Sequence, residues 1–277
     1  MEDYLKDLNK SSIYRNDILA AEKDFKQIVE FDPMELTAID GGIIAIIAPT
    51  GCGKSILLRD ILSKIHKHYD NIYLMCPTAK MQDCYNYFPD ENIIDHFDEQ
   101  LLENVYEEQK NSIKKNKKMK KPLIILDDII GEPEYDKSIM LNKIATAGRP
   151  SNLTVILLCQ YFSKIKQLHR TNLRAFIGFD IDNSDELEKF TRSFMCSFNK
   201  RTGRLLYKKI TKEKKYQCCV VLIHKNFSEV HEKVRKYTAV FDVPHFKIKK
   251  IKEVPQINGD VNINVEKIKE EKFRFNF

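Results

Sequence analysis

Residues 41–55, Gly-Gly-Ile-Ile-Ala-Ile-Ile-Ala-Pro-Thr-Gly-Cys-Gly-Lys-Ser, leave the rest of the chain little freedom. Gly41 to Ile47 is apolar throughout and does not alternate, the pattern of a strand covered on both faces in a parallel sheet. Such a strand needs helices on either side of it, so the expected fold is α/β, with a mostly parallel central sheet flanked by helices. The strand runs straight into a glycine-bearing loop. Ile56, Leu57, Leu58, Ile61, Leu62 and Ile65 then recur at helical spacing and predict the helix that packs the loop onto the sheet.

The loop has the chemistry of a phosphate cradle. Gly51 and Gly53 allow the backbone to curl so that successive N–H groups point at phosphate oxygens, which a Cβ would obstruct. Pro49, Thr50, Gly51, Cys52, Gly53, Lys54 and Ser55 are therefore the expected nucleotide-binding residues. Lys54 would neutralise the β- and γ-phosphates, Ser55 would place its hydroxyl on Mg²⁺, and the helix that starts there adds its positive dipole end. Ala48 stands where the strict pattern has glycine, a change that a negative φ tolerates. A glycine-rich turn that binds nothing is the competing reading, and the order strand, loop, Lys-Ser, amphipathic helix argues against it.

A second apolar run, Pro122-Leu-Ile-Ile-Leu-Asp-Asp128, ends in two carboxylates. Burying them is costly unless they meet a cation. Asp127 is expected to support Mg²⁺ and Asp128 to act on the attacking water, with Glu132 in reserve as the base. A third run, Leu153-Thr-Val-Ile-Leu-Leu-Cys-Gln160, ends in an amide; Gln160 either senses the γ-phosphate and orients water or is an ordinary strand end. Before it, the turn Gly148-Arg149-Pro150 presents an arginine. Arg149 is either a finger for a neighbouring subunit's nucleotide or a surface charge.

Other elements follow from shorter patterns. Strands are expected at 71–76, 93–97, 174–179, 217–223 and 237–241, and helices from Leu101, over 135–148 with Gly148 closing it, and from the cap Asn183-Ser-Asp-Glu186. Residues 1–40 read as a lead-in with weak helical patterning broken at Asp32-Pro33, and residues 246–277 as a basic arm or tail. Lys114, Lys115, Lys117, Lys118, Lys120 and Lys121 crowd together, either as a solvated helix end or as a contact to a phosphate backbone.

Composition excludes several classes. The 277 residues carry 43% hydrophobic and 31% charged side chains, and no apolar run approaches the roughly 20 residues that span a bilayer. The acidic, polar start, Met1 to Asn9, is unlike a signal peptide, and the protein is expected to stay where it is made. Seven cysteines include no Cys-x-x-Cys pair and read as reduced core residues; His66 and His68 do not share a helix face, so a His/Cys metal site is not expected. A net charge of +6 is compatible with a nucleic-acid partner and does not establish one. A GTPase is disfavoured because Asn142-Lys-Ile-Ala145 is not the guanine-reading Asn-Lys-x-Asp, and nothing marks the acceptor pocket or arginine-rich lid of a small-molecule kinase. The paired aspartates argue against a scaffold that merely holds a nucleotide.

The parts in this order resemble one family, the genome-packaging ATPases of poxviruses, other large DNA viruses and their virophage relatives, within the FtsK/HerA class. The resemblance rests on Ala48 to Ser55, on Leu126-Asp127-Asp128-Ile129-Ile130-Gly131, and above all on Ala147-Gly-Arg-Pro-Ser-Asn-Leu-Thr-Val-Ile-Leu-Leu-Cys-Gln160; it covers residues 40 to 195. It implies a ring-forming, RecA-like ATPase core over 41–245 that binds ATP and Mg²⁺ and hydrolyses ATP to drive double-stranded DNA into a capsid. It also implies a capsid or portal-vertex partner, and action in the host-cytoplasmic virus factory and the virion. Gln160 would be the strand-end sensor and Arg149 the finger across a subunit boundary. Pro150 replaces a bulkier basic residue common in that family, which leaves Arg170 as a competing finger. A helicase or recombinase-like ATPase acting on single strands shares the core chemistry, and single-strand stimulation would identify it.

Overall fold

A computed structural model describes residues 12–195, 199–223 and 230–252. Its strands are β1 (Val29–Glu30), β2 (Gly42–Ile47), β3 (Asn71–Met75), β4 (Ile93–Ile94), β5 (Pro122–Asp127), β6 (Thr154–Cys159), β7 (Leu173–Gly178), β8 (Gln217–Leu222) and β9 (Val234–Thr238). They form one sheet in the order β1-β9-β8-β7-β2-β6-β5-β3-β4, and β8 alone among them runs against the rest. The expected mostly parallel α/β sheet is what the chain forms.

Alternation along each strand sorts the core into two layers. Ile43, Ala45, Ile47, Ile124, Leu126, Val155, Leu157 and Phe176 face the helices Glu99–Lys114, Ile139–Ala147, Ser184–Phe194 and Lys200–Lys212. Ile44, Ile46, Ile125, Ile156, Leu158 and Ile177 face the loop helix, Lys54–Ile65, through Leu57, Leu58, Ile61, Leu62 and Ile65. Cys218 and Cys219 fall in opposite layers, as neighbours in a strand must. The described cysteines, Cys52, Cys76, Cys84, Cys159, Cys218 and Cys219, are free.

Several elements depart from the sequence reading for identifiable reasons. The helix expected over 135–148 is two helices, Pro133–Lys137 and Ile139–Ala147, because Ser138 caps the second and Glu99 Oε1 accepts from Ile139 N and Met140 N at 2.9 Å each. Gly148 ends that helix, as expected, and does so with right-handed backbone (φ −69°). What requires glycine there is space, since a Cβ would meet the Ile144 carbonyl and lie 2.9 Å from Gly42 N. β9 lies three residues earlier than expected, held by antiparallel register from Gln217↔Thr238 to Val221↔Val234. The helix Lys200–Lys212 was not singled out in the sequence. It packs against the helix Ser12–Gln27 of the lead-in, where Asn199 Nδ2 donates to Asp17 Oδ1 at 2.7 Å. The cap at Asn183 is as expected, its Oδ1 accepting from Asp185 N and Glu186 N.

Beyond β9, residues 239–252 cross the loop-helix side of the sheet toward β3 and β4. Phe246 packs on His66 and Tyr87, Ile248 N donates to Tyr87 O at 2.9 Å, and Asn92 bridges Ile72 O, Lys249 O and Ile251 N. The remaining residues of the basic arm, 253–277, and the start of the lead-in, 1–11, lie outside the described residues.

Candidate nucleotide site

The site is built at the carboxyl ends of β2, β6 and β5. β6 lies between the phosphate-loop strand and the aspartate strand, with registers Ile47↔Cys159 and Leu158↔Asp127. That order brings Lys54, Asp127 and Gln160 to one edge although they are far apart in sequence. Gln160 follows the buried Cys159 and is exposed at that edge. Gly51 and Gly53 have φ of +78° and +93°, so the loop curls as its sequence requires, and Ala48 is buried with its N–H on Cys159 O at 3.1 Å.

Lys54 Nζ lies 2.9 Å from Asp127 Oδ1 and 3.4 Å from Asp128 Oδ1. Burial works against the ammonium charge, but the two carboxylates more than offset it and hold Lys54 above its ordinary value. Asp127 is 2% exposed and accepts a second contact, from the Tyr85 hydroxyl on Oδ2. Burial, reinforced by Asp127, pushes the Tyr85 hydroxyl upward, so it is a permanent proton donor near neutrality. The Ser55 hydroxyl opposes the upward push on both the Tyr85 hydroxyl and the Cys84 thiol. Ser55 and Asp127 thus both act on the Tyr85 phenol, one a hydroxyl and the other a carboxylate, the hard oxygen donors that suit Mg²⁺.

Asp128 adopts left-handed backbone (φ +55°), a conformation aspartate tolerates better than most side chains, and its carboxylate is more than a third exposed. It turns toward solvent beside Lys54. Glu132 is engaged elsewhere: its Oε2 accepts from Phe97 N at 2.8 Å. Between the two candidate bases, the geometry favours Asp128.

Arg149 stands apart from this cluster. It precedes β6 while Gln160 follows it, so six residues of strand, about 20 Å, separate them. At that opposite edge it lines a cavity of about 320 Å³ with Gly42, Asn172 and Arg174. Burial and the neighbouring Arg149 both hold Arg174 below its usual value. Arg170 rests its guanidinium 5.2 Å from the centroid of the Phe162 ring. The lysine run is at the same lower edge as Arg149, with Lys120 and Lys121 paired to Glu108 and Asp40 at 2.7 and 2.6 Å. Tyr85 has no signal in the sequence: it lies 42 positions from the carboxylate it serves, in a stretch of short turns without periodicity.

The pattern that defines the family described as Poxvirus A32 protein matches residues 28–245. The DNA packaging protein OPG160 of Variola virus is 27% identical over 141 residues, 49% of this chain and 52% of that protein. Its counterpart in Monkeypox virus is 31% identical over 143 residues, 49% of this chain and 47% of that protein. The chain thus spans about half the length of the curated relatives it matches. Among solved structures, the genome packaging NTPase B204 from Sulfolobus turreted icosahedral virus 2, in complex with ATP-gammaS, superposes with a TM-score of 0.52 at 13% identity, over 72% of this chain and 98% of that one. The pCW3 conjugation coupling protein TcpA, with ATPgS, superposes with a TM-score of 0.51 at 15% identity, over 73% of this chain and 61% of that one. At that identity the two structures speak for the shared fold, whereas the family match extends over most of the sequence: this chain belongs to the Poxvirus A32 protein family.

Proposed function

We propose that the chain is an ATP-hydrolysing motor that translocates double-stranded DNA into a capsid. The observation that carries the reading is the convergence of Lys54, Asp127, Asp128 and Gln160 at one sheet edge, in a family whose curated relatives are DNA packaging proteins. Lys54, held between two carboxylates, is positioned to exchange them for the β- and γ-phosphates. Ser55 and Asp127 would hold Mg²⁺, which supplies charge neutralisation at the transferred phosphoryl group. Asp128, open to solvent, orients the attacking water, and Gln160, one residue past the strand between loop and aspartates, stands where a γ-phosphate sensor belongs.

Arg149 acts as a finger only across a subunit boundary, because its own loop is out of reach; this geometry supports a ring of identical subunits. Contacts to DNA phosphates, not bases, would make the motor indifferent to sequence and sensitive to salt. Among the described residues no helix is long and apolar enough to cross a membrane. The capsid or portal partner and the virus factory belong to this proposal too. Hydrolysis by the assembled protein with and without duplex DNA tests it: stimulation by duplex is expected, and indifference to every duplex at low salt would refute DNA translocation.

A further inference from the structure

The carboxylates, Gln160 and the expected metal position all lie on the β6–β5 side of the phosphate loop. A nucleotide with its γ-phosphate at that end carries its base toward the other side of β2, where β7 and β8 follow. There the loop meets an aromatic pair. A Cβ placed on Gly53 would lie 3.2 Å from Tyr216 Cδ1 and 3.6 Å from its Cε1, so the Tyr216 ring edge abuts the phosphate loop. Phe241 packs against Tyr216 with ring centroids 4.4 Å apart and planes at 70°, and Lys215 Nζ lies 4.8 Å from the Tyr216 centroid. Phe241 is 48% exposed, and its neighbour Val240 is 46% exposed.

The pair is held in place by the loop helix itself. Asp60, fully buried on that helix, accepts from Val240 N at 3.0 Å and from Tyr237 Oη at 2.6 Å. Ala239 N donates to Tyr216 O at 3.2 Å, and Tyr216 adopts φ +60° to turn into β8. The helix that follows the phosphate loop and the segment that exposes Phe241 are thus tied through Asp60. An exposed aromatic face, fixed beside a phosphate loop on the side away from the hydrolytic residues, matches the flat face of a base.

We propose that Tyr216 and Phe241 seat the purine base of the nucleotide bound at the phosphate loop, Phe241 stacking on the base and Tyr216 buttressing it against Gly53. The proposal rests on the reading of residues 48–55 as a triphosphate site. Stacking reads the face of the ring and not its edge, so the pair contributes affinity for any purine nucleotide.

The chain contains no tryptophan, so Phe241→Trp introduces a single indole reporter at the proposed seat. The test uses full-length protein with ATPγS and with inorganic tripolyphosphate, each with Mg²⁺, measured by calorimetry and by indole emission. The expected result is that Phe241→Ala binds ATPγS roughly tenfold more weakly than wild type while tripolyphosphate affinity is unchanged. Phe241→Tyr should restore binding, and ATPγS but not tripolyphosphate should change the emission of Phe241→Trp. Unchanged ATPγS affinity in Phe241→Ala, an equal loss of both ligands, or a silent indole with ATPγS bound would each overturn the base seat. Failure of wild type to bind either ligand, or binding by Lys54→Ala as tight as wild type, would instead overturn the triphosphate site on which it rests.

Discussion

At Lys54 two carboxylates, Asp127 at 2.9 Å and Asp128 at 3.4 Å, hold the ammonium charge in a partly buried place, which the proposed function has phosphates take over. Removing the ammonium should therefore abolish the site without unfolding the sheet. Lys54→Ala is predicted to lower hydrolysis about 10²–10³-fold, with an unchanged circular dichroism spectrum. Tyr85 makes a subtler prediction, since it holds the oxygen of Asp127 that Lys54 does not. Tyr85→Phe keeps the ring and removes the donor, and the Mg²⁺ concentration for half-maximal hydrolysis should rise about tenfold. An unchanged metal requirement would reduce Tyr85 to packing. The meeting of Lys54 with Asp127 was legible because each stands in a contiguous motif at the end of an apolar run; Tyr85 and Tyr216 were not, because only the fold brings them there.

At the scale of elements, the loop helix is tied to the sheet by more than its apolar face. Asp60, with no exposed surface, pairs with Lys64 at 3.1 Å and caps the turn after β9 through Val240 N and Tyr237 Oη. Asp60→Ala should destabilise the protein by about 3 kcal/mol in urea denaturation, because it removes the acceptor of a buried hydroxyl and of a backbone N–H at once, while Lys64, more than a third exposed, turns to water. His169 sets an acid limit. Its Nε2 meets Asn142 Oδ1 at 3.0 Å, and burial, aided by Lys166, pushes the imidazole down to about 4. Between pH 6.5 and that value the unfolded chain binds a proton that the folded chain refuses, so stability falls on acidification by up to about 3 kcal/mol. His169→Gln should flatten that part of the profile.

The strands that carry the site were read from continuous apolar runs, and β2, β5 and β6 fall within a residue or two of where those runs end. The edges were harder. β1 is two residues paired with β9, and β9 itself is placed by its register with β8, neither of which leaves a local pattern. The split at Ser138 depends on Glu99 from another helix, which periodicity cannot show.

For the whole molecule, the position of Arg149 is the informative feature. It was legible as an arginine on a turn, but only the sheet shows that it lies a strand's length from its own loop. Arg149→Ala should leave ATPγS affinity within about twofold and reduce hydrolysis by the assembly about a thousandfold. Mixed with wild type, the variant should inhibit more than in proportion to its fraction; a strictly proportional loss would mark Arg149 as a surface charge. The lysine run faces the same lower edge, where Lys120 and Lys121 are paired with Glu108 and Asp40.

The most direct test of the account is the steady-state ATPase rate of the assembled protein against double-stranded and single-stranded DNA at two salt concentrations, with Lys54→Ala as the blank. The account predicts stimulation that prefers duplex and fades as salt rises. A preference for single strands, or a rate that no DNA changes at low salt, would contradict it.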